Sequence, residues 1–148
     1  MDRTATYGEF EIAYTVHGEG PPLLLVPGVT QSAKRWVEAG YVDALSSSHR
    51  VLAVDPLGHG RSSKTSDVEA YAADRLTEHL LAVMDDDGME SADVWGYSRG
   101  ASMAGRLANS NPDRVRRLVA GGIPLFDTRP IMQELGMVPV SYTHLRAH

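Results

Sequence analysis

Residues 94–101 read VWGYSRGA, and here an apolar strand pattern runs directly into a helix pattern. Ser98 stands at the junction, with Gly96 two positions before it and Gly100 two positions after it. A serine held in a sharp strand-to-helix turn needs neighbours without bulky side chains on both sides. The pattern therefore predicts a strand, a strained turn with the serine hydroxyl exposed at its apex, and a helix over residues 99–110.

The helix that begins at this turn gives the serine a chemical setting. The first N–H groups of a helix have no partner within the helix, and the positive end of the helix dipole lies at the same place. Both are aimed at the negative charge that develops on a carbonyl oxygen bound beside Ser98. The turn therefore predicts acyl-transfer chemistry.

Two kinds of strand pattern surround the turn. Residues 10–16 alternate large apolar with smaller or polar side chains, and with residues 3–7 they predict an antiparallel hairpin across Gly8. Continuous apolar runs predict strands covered on both faces by helices, at residues 23–26, 51–54, 94–95 and 118–120. Between these strands the sequence predicts three helices, over residues 33–47, 68–87 and 99–110. Ser66 is the predicted N-cap of the second helix. This alternation predicts a three-layer α/β fold with a parallel sheet.

Three loops follow buried strands and share one edge of the predicted sheet. They are PGVTQS at residues 27–32, DPLGHGRS at residues 55–62, and the turn that carries Ser98. Open α/β folds bind their ligands at the carboxyl ends of parallel strands. We therefore expect the three loops to meet at one site.

In this order the three loops resemble those of the α/β-hydrolase family. Members typically carry a glycine-containing oxyanion loop after the third strand, a D-x-x-G-x-G-x-S segment after the fourth and G-x-S-x-G after the fifth. The resemblance covers residues 3–127. It implies a three-layer α/β-hydrolase sheet of which this chain carries the N-terminal half, truncated after about the sixth strand.

The resemblance also implies roles for individual residues. Ser98 is the expected nucleophile of a nucleophile elbow, and the backbone N–H groups of Val29 and Arg99 are the expected oxyanion hole. Family members often have His-Gly where this chain has Pro27 and Gly28, a departure that keeps the amide donors. Serine rather than aspartate at the elbow argues against the dehalogenase and epoxide-hydrolase branches.

Other candidate residues receive structural interpretations. Residues 55–62 are expected to shape the turn after their strand rather than to attack substrate. His59 has the chemistry of a general base, but the family takes its catalytic histidine from a loop after the last strand. His79 is expected at the surface, and Trp36 and Trp95 are expected to pack rather than to stack on a ligand.

The C-terminal part of the sequence carries three further expectations. Residues 140–148, VSYTHLRAH, resemble the in-frame translation of a transposon-type sequencing adapter, so we interpret residues 139–148 as a non-native tail and residues 1–138 as the domain. Residues 123–138 are interpreted either as the start of a cap or lid region or as a connecting helix. In the family the catalytic acid and histidine follow the serine in that order, so both are expected beyond this chain, with Asp127 as a weaker candidate acid.

Composition limits the partners and cofactors. The 148 residues carry a net charge of −5, which disfavours a nucleic-acid role. There is no cysteine, which excludes disulfides and thiolate metal sites. No apolar segment of signal-peptide length occurs in residues 1–20, so a cytoplasmic location without a membrane partner is expected. No metal and no organic cofactor is expected.

Two functions from different classes remain open at this point. The first is a parent protein that hydrolyses a small-molecule ester or related acyl substrate through an acyl-serine intermediate, with the chain by itself inactive. The serine does not separate esterase from lactonase, C–C hydrolase, acyltransferase or peroxidase-like members of the family. The second is a non-catalytic binding protein or scaffold that keeps the fold without turnover.

Overall fold

The computed structural model describes residues 1–122, which build a mixed six-stranded sheet with helices on both faces. The strands are β1 (Asp2–Tyr7), β2 (Phe10–His17), β3 (Pro22–Val26), β4 (Arg50–Val54), β5 (Ala92–Tyr97) and β6 (Val115–Gly121). The helices are α1 (Ala33–Glu38), α2 (Tyr41–Leu45), α3 (Ala73–Asp86) and α4 (Arg99–Ser110), with a 3₁₀ turn at Val68–Tyr71. Residues 123–138, the tail at 139–148 and Asp127 lie outside the described residues.

The strand order in the sheet is β1-β2-β4-β3-β5-β6. The first two strands form the antiparallel hairpin, and β2 also pairs antiparallel with β4. The remaining neighbours are parallel, with Leu24 of β3 opposite Leu52 of β4 on one side and Val94 of β5 on the other. The predicted three-layer α/β fold with a parallel sheet is thus confirmed.

Two cores on opposite faces of the sheet explain three of the four continuous apolar runs. The fourth, at residues 118–120, is covered on one face only: Leu118 is buried, while Val119 is 46% exposed on the edge strand β6. Alternate residues of β3 point to different faces, as the period of a strand requires, and so Leu24 and Leu25 lie in separate cores. The larger core lies under α3 and α4, and the smaller one lies under α1 and α2. Both cores pack the sheet from above and below, which holds the carboxyl ends of the parallel strands in place.

The helix boundaries differ from prediction in two places. The helix predicted over residues 33–47 is divided in two by Gly40, whose φ of 81° is a conformation that glycine adopts without strain. The helix predicted over residues 68–87 begins as the 3₁₀ turn. Its cap is not Ser66: the Asp67 side chain accepts from the Glu69 amide at 3.1 Å instead. Helix α4 has the predicted bounds, and no helix within residues 1–122 is both long and apolar enough to cross a membrane.

Candidate active site

Ser98 lies between the end of β5 and the first residue of α4. Its φ of 54° and ψ of −119° place a non-glycine residue in a sparsely populated backbone conformation. The Ser98 amide donates to the Gly121 carbonyl at 2.8 Å, and the Ser98 carbonyl accepts from the Ala101 amide at 2.9 Å. The backbone on both sides of the serine is therefore held by neighbouring elements, and the strained turn persists because those elements fix it.

The two glycines of the turn are required by close approaches of the backbone. A Cβ atom on Gly96 would lie 2.2 Å from the Gly100 carbonyl oxygen. A Cβ atom on Gly100 would lie 2.1 Å from the Val26 carbonyl oxygen at the end of β3. Helix α4 therefore begins in contact with both β5 and β3, which only glycine at these positions permits.

The loop after β3 lies against Ser98. A Cβ atom on Gly28 would be 3.5 Å from the Ser98 Cβ atom, which is ordinary van der Waals contact. The Gln31 side chain closes this loop, since its Oε1 accepts from the Gly28 amide at 3.1 Å. Val29 follows directly and is 53% exposed, and its amide has no acceptor within residues 1–122. The loop that carries Val29 and the helix that begins with Arg99 thus both adjoin the serine.

Asp55 joins the two loops that precede the serine turn. Its side chain is buried; Oδ1 accepts from the Ala33 amide at 2.7 Å and Oδ2 accepts from the Arg61 amide at 2.9 Å. Ser62 extends the connection, because its hydroxyl donates to the Asp55 carbonyl at 2.5 Å and accepts from the Ala13 amide at 2.8 Å. The segment over residues 55–62 therefore has the structural role expected from the sequence.

His59 also supports the loop after β3. Its Nε2 lies 3.2 Å from the Thr30 amide nitrogen and accepts that hydrogen bond. Its Nδ1 lies 3.0 Å from the Leu57 carbonyl oxygen, which fixes the tautomer with the proton on Nδ1. Both ring nitrogens are thus engaged by backbone groups, and neither is directed at Ser98.

His79 is buried, contrary to its expected surface position. Only 2% of the residue is exposed, and its ring packs edge-on against Tyr7 at 4.8 Å and Phe10 at 6.3 Å between ring centres. Neither ring nitrogen has a hydrogen-bond partner within the described chain, and burial lowers the pKa of His79. His79 lies three residues after Leu76 and four before Val83, both core residues, so helical spacing was the signal for its burial.

The aromatic residues beside the site pack against one another. Trp36, Tyr41 and Trp95 contact each other edge-on, with ring centres 5.1 to 5.5 Å apart. Trp36 is 6% exposed and belongs to the smaller core, so it packs as the sequence suggested.

Two cavities lie beside the first turns of α4. One is a crevice of about 10 Å³ under the loop after β3, and the other is a cavity of about 360 Å³ between α4 and the start of α3. Leu76, Arg99 and Met103 line both cavities.

Within residues 1–122 the Ser98 hydroxyl has no hydrogen bond to a histidine. In the same residues no group of three or more histidine or carboxylate side chains is placed to hold a metal ion.

Sequence comparison shows that the chain is similar to known hydrolases. A family model described as alpha/beta hydrolase fold matches residues 21–143. The chain is 38% identical over 106 residues to a 2-hydroxymuconate semialdehyde hydrolase from a Pseudomonas species, covering 71% of this chain and 37% of that protein. It is 35% identical over 102 residues to a pimeloyl-[acyl-carrier protein] methyl ester esterase from Aeromonas hydrophila, covering 69% of this chain and 37% of that protein.

Structural comparison gives the same result. A mutant epoxide hydrolase from Vigna radiata superposes with a TM-score of 0.78 at 26% identity, covering 85% of this chain and 39% of that one. The chain spans about two fifths of the length of the curated relatives it matches.

Proposed function

Because this chain belongs to the α/β-hydrolase fold family, we propose that the whole protein is a serine hydrolase of small-molecule esters or related acyl compounds. The observation that carries the proposal is the backbone of Ser98, held at φ 54° between a strand and a helix N-terminus. Strain at such a residue is maintained by the surrounding structure, and it is typical of sites where a side chain must be presented to a ligand.

In the proposed reaction the Ser98 Oγ atom attacks the carbonyl carbon of the substrate and loses its proton to a general base. The carbonyl π electrons move to oxygen, and the resulting oxyanion accepts hydrogen bonds from the Val29 and Arg99 amides. Collapse of this intermediate expels the alcohol, which takes up the proton, and leaves an acyl-serine. Water then attacks the acyl group and releases the acid and the free serine. We assign the base and its orienting acid to the part of the protein outside residues 1–122.

The names of the relatives support hydrolysis in general and do not single out acyl transfer. Their names refer to a semialdehyde, a methyl ester and an epoxide. The choice of acyl substrates rests on the serine at position 98, because a serine hydroxyl is the nucleophile of acyl-enzyme chemistry and the family resemblance associates epoxide hydrolysis with aspartate there. The net charge of −5 favours a small molecule over a nucleic acid as the substrate.

Hydrolysis of 4-nitrophenyl butyrate by the whole protein tests this proposal. We expect turnover that Ser98→Ala reduces by at least about a thousandfold, since removal of the nucleophile leaves only the oxyanion hole and binding contributions. Ser110→Ala, at the exposed far end of the same helix, is the matched control and should keep the activity of the parent. Equal turnover by Ser98→Ala and the parent would refute the assignment of the nucleophile.

A second candidate is a binding protein that keeps the fold without turnover. It predicts that the whole protein binds acyl compounds and hydrolyses none of them.

A further inference from the structure

We propose that the side chain of Arg99 binds a carboxylate on the substrate, so that the acyl compounds accepted at this site are anionic. The inference rests on the proposed function and names the substrate class of the same site. It concerns the guanidinium group of Arg99, whereas the proposed oxyanion hole uses only the Arg99 backbone amide.

The first observation is that Arg99 differs from the comparable arginines of the chain. Within residues 1–122 five arginines are half-buried, and four of them pair with a carboxylate: Arg3 and Arg50 with Asp87, Arg106 with Asp74, and Arg114 with Asp85. Arg99, the fifth, has neither an ion pair nor a hydrogen bond from its guanidinium group among those residues. Partial burial removes water from a charged group, and that cost calls for a compensating partner.

The second observation is where this guanidinium lies. Arg99 lines the crevice under the loop after β3 together with Gly28, the residue whose Cβ position contacts Ser98. It also lines the cavity of about 360 Å³ along α4, a volume within the range of small-molecule sites. Within residues 1–122, the guanidinium that has no carboxylate partner therefore lines a cavity of substrate size beside the helix that begins directly after Ser98.

The lining of the cavity suits a chain with an apolar body and an anionic group. Leu76 and Met103 are 4% and 7% exposed and supply an apolar wall. Ser102 and Arg106 line the cavity from the same face of α4 as Arg99, because residues three, four and seven positions apart share one side of a helix; Tyr71 and Ala73 line the opposite side. Methylene groups of an acyl chain would pack on the apolar wall.

The charge balance favours a carboxylate. One Nη atom of Arg106 already contacts Asp74 at 3.1 Å, so among residues 1–122 the positive charge of this wall that has no carboxylate partner is that of Arg99. A planar guanidinium matches the geometry of a carboxylate through two parallel hydrogen bonds, and a single cation is balanced by a single negative charge.

Binding to the whole protein with Ser98→Ala tests the inference without requiring turnover. The probes are the mono-N-methylamide of adipic acid, which carries a carboxylate, and the methyl ester of the same amide, which is neutral. We expect tighter binding of the charged probe, and we expect Arg99→Met to weaken that binding by roughly 10- to 100-fold, the effect of losing a hydrogen bond between charged groups. Arg99→Lys should retain part of the preference because it keeps the charge.

Arg116→Gln is the matched control, because it also removes one positive charge. Arg116 lies on β6, forms an ion pair with Asp93 of β5, and lines neither of the two cavities beside α4. The substitution should leave the binding of both probes unchanged. Equal affinity for the two probes, or equal losses in Arg99→Met and Arg116→Gln, would overturn the inference. Equal affinity for the two probes is also the result expected if Arg99 forms an ion pair with a carboxylate of the protein outside residues 1–122, and it would overturn the inference in that case too.

Turnover separates this inference from the proposed function. The ratio of kcat/KM for the mono-4-nitrophenyl ester of adipic acid to that of its methyl-capped neutral form should fall in Arg99→Met. If hydrolysis depends on Ser98 while this ratio is unchanged, the inference fails and the proposed function stands. If carboxylate binding depends on Arg99 while Ser98 is unreactive, the inference stands and the proposed function fails.

Discussion

Substitution of Asp55 by asparagine should destabilise the fold. Asp55 is 3% exposed, and its two carboxylate oxygens accept hydrogen bonds from the Ala33 and Arg61 amides at 2.7 and 2.9 Å. Asparagine has almost the same shape, but one of its two terminal groups is an NH₂ donor. That donor must face one of the two N–H groups, so one hydrogen bond is lost and two buried donors are left without acceptors.

The size of the effect follows from these contacts. Losing a hydrogen bond to a charged acceptor costs about 1.5–3 kcal/mol, and leaving a buried polar group unsatisfied costs about 1–3 kcal/mol. We therefore expect a loss of roughly 4 kcal/mol, a large part of the 5–15 kcal/mol that is typical of a domain. With a urea dependence of about 2 kcal/mol per molar, the unfolding midpoint should fall by about 2 M.

Urea unfolding followed by circular dichroism measures this midpoint. Asp43→Asn is the matched control, because Asp43 is exposed on α2 and its side chain makes no hydrogen bond within the described chain; its midpoint should stay within about 0.3 M of the parent. If Asp55→Asn unfolds at the same urea concentration as Asp43→Asn, Asp55 does not tie the two loops together and the structural interpretation of residues 55–62 is refuted.

Three further substitutions test other parts of the structure. Gly100→Ala places a Cβ atom 2.1 Å from a backbone oxygen and should lower the free energy of unfolding by about 3 kcal/mol or more. Gly88→Ala is its control: the added Cβ atom has no neighbour within 4 Å, so only the positive φ of this residue should cost free energy, about 1–2 kcal/mol. Ser62→Ala removes a hydroxyl that donates one buried hydrogen bond and accepts another, and should cost about 2 kcal/mol in urea unfolding. His79→Phe should reduce the loss of stability between pH 6.5 and 5, measured by thermal unfolding at each pH.

The sign of the His79 effect follows from its lowered pKa. Below the ordinary histidine value of 6.5 the unfolded chain takes up a proton, while the buried ring in the folded chain stays neutral. The free energy of unfolding therefore decreases as the pH is lowered below about 6.5. This one group contributes at most about 1.4 kcal/mol per pH unit to that decrease. An unchanged slope between pH 6.5 and 5 in His79→Phe would contradict the burial of a neutral ring. For Gly100→Ala and Ser62→Ala, midpoints equal to that of the parent would contradict the contacts described.

The parts of the fold that the sequence predicts well are those with one dominant local signal. Continuous apolar runs favour strands buried between helices, and all four runs are strands of the sheet, although β6 is covered on one face only and Val119 is exposed. Helix α4 has the predicted bounds because a glycine-flanked turn starts it and Pro112 follows its end.

The failures occur where a local signal competes with another. Gly40 interrupts a helical pattern, and its left-handed conformation gives two short helices in place of one. Ser66 and Asp67 are adjacent residues that can both cap a helix, and the structure uses the second. His79 is polar by type but lies on the core stripe of α3, and tertiary packing decided its burial.

The candidate site is predictable in its parts and not in its connections. The serine turn, the two glycines and the loop after β3 follow from motifs. The hydrogen bonds of Asp55 to Ala33 and of His59 to Thr30 join residues 22 and 29 positions apart, and no local pattern indicates such pairings. That the guanidinium of Arg99 has no partner within residues 1–122 is likewise apparent only once the partners of the other arginines are known.

Labelling of the whole protein with a fluorophosphonate, followed by mass spectrometry of its peptides, tests the central claim most directly. We expect a single phosphonyl adduct on the peptide that contains Ser98, at the position of Ser98, with no adduct in Ser98→Ala and full labelling in Ser110→Ala. An adduct on another serine, or equal labelling of Ser98→Ala and the parent, would contradict the assignment of Ser98 as the nucleophile. No adduct under conditions that label a known serine hydrolase would contradict acyl-serine chemistry and favour the binding protein.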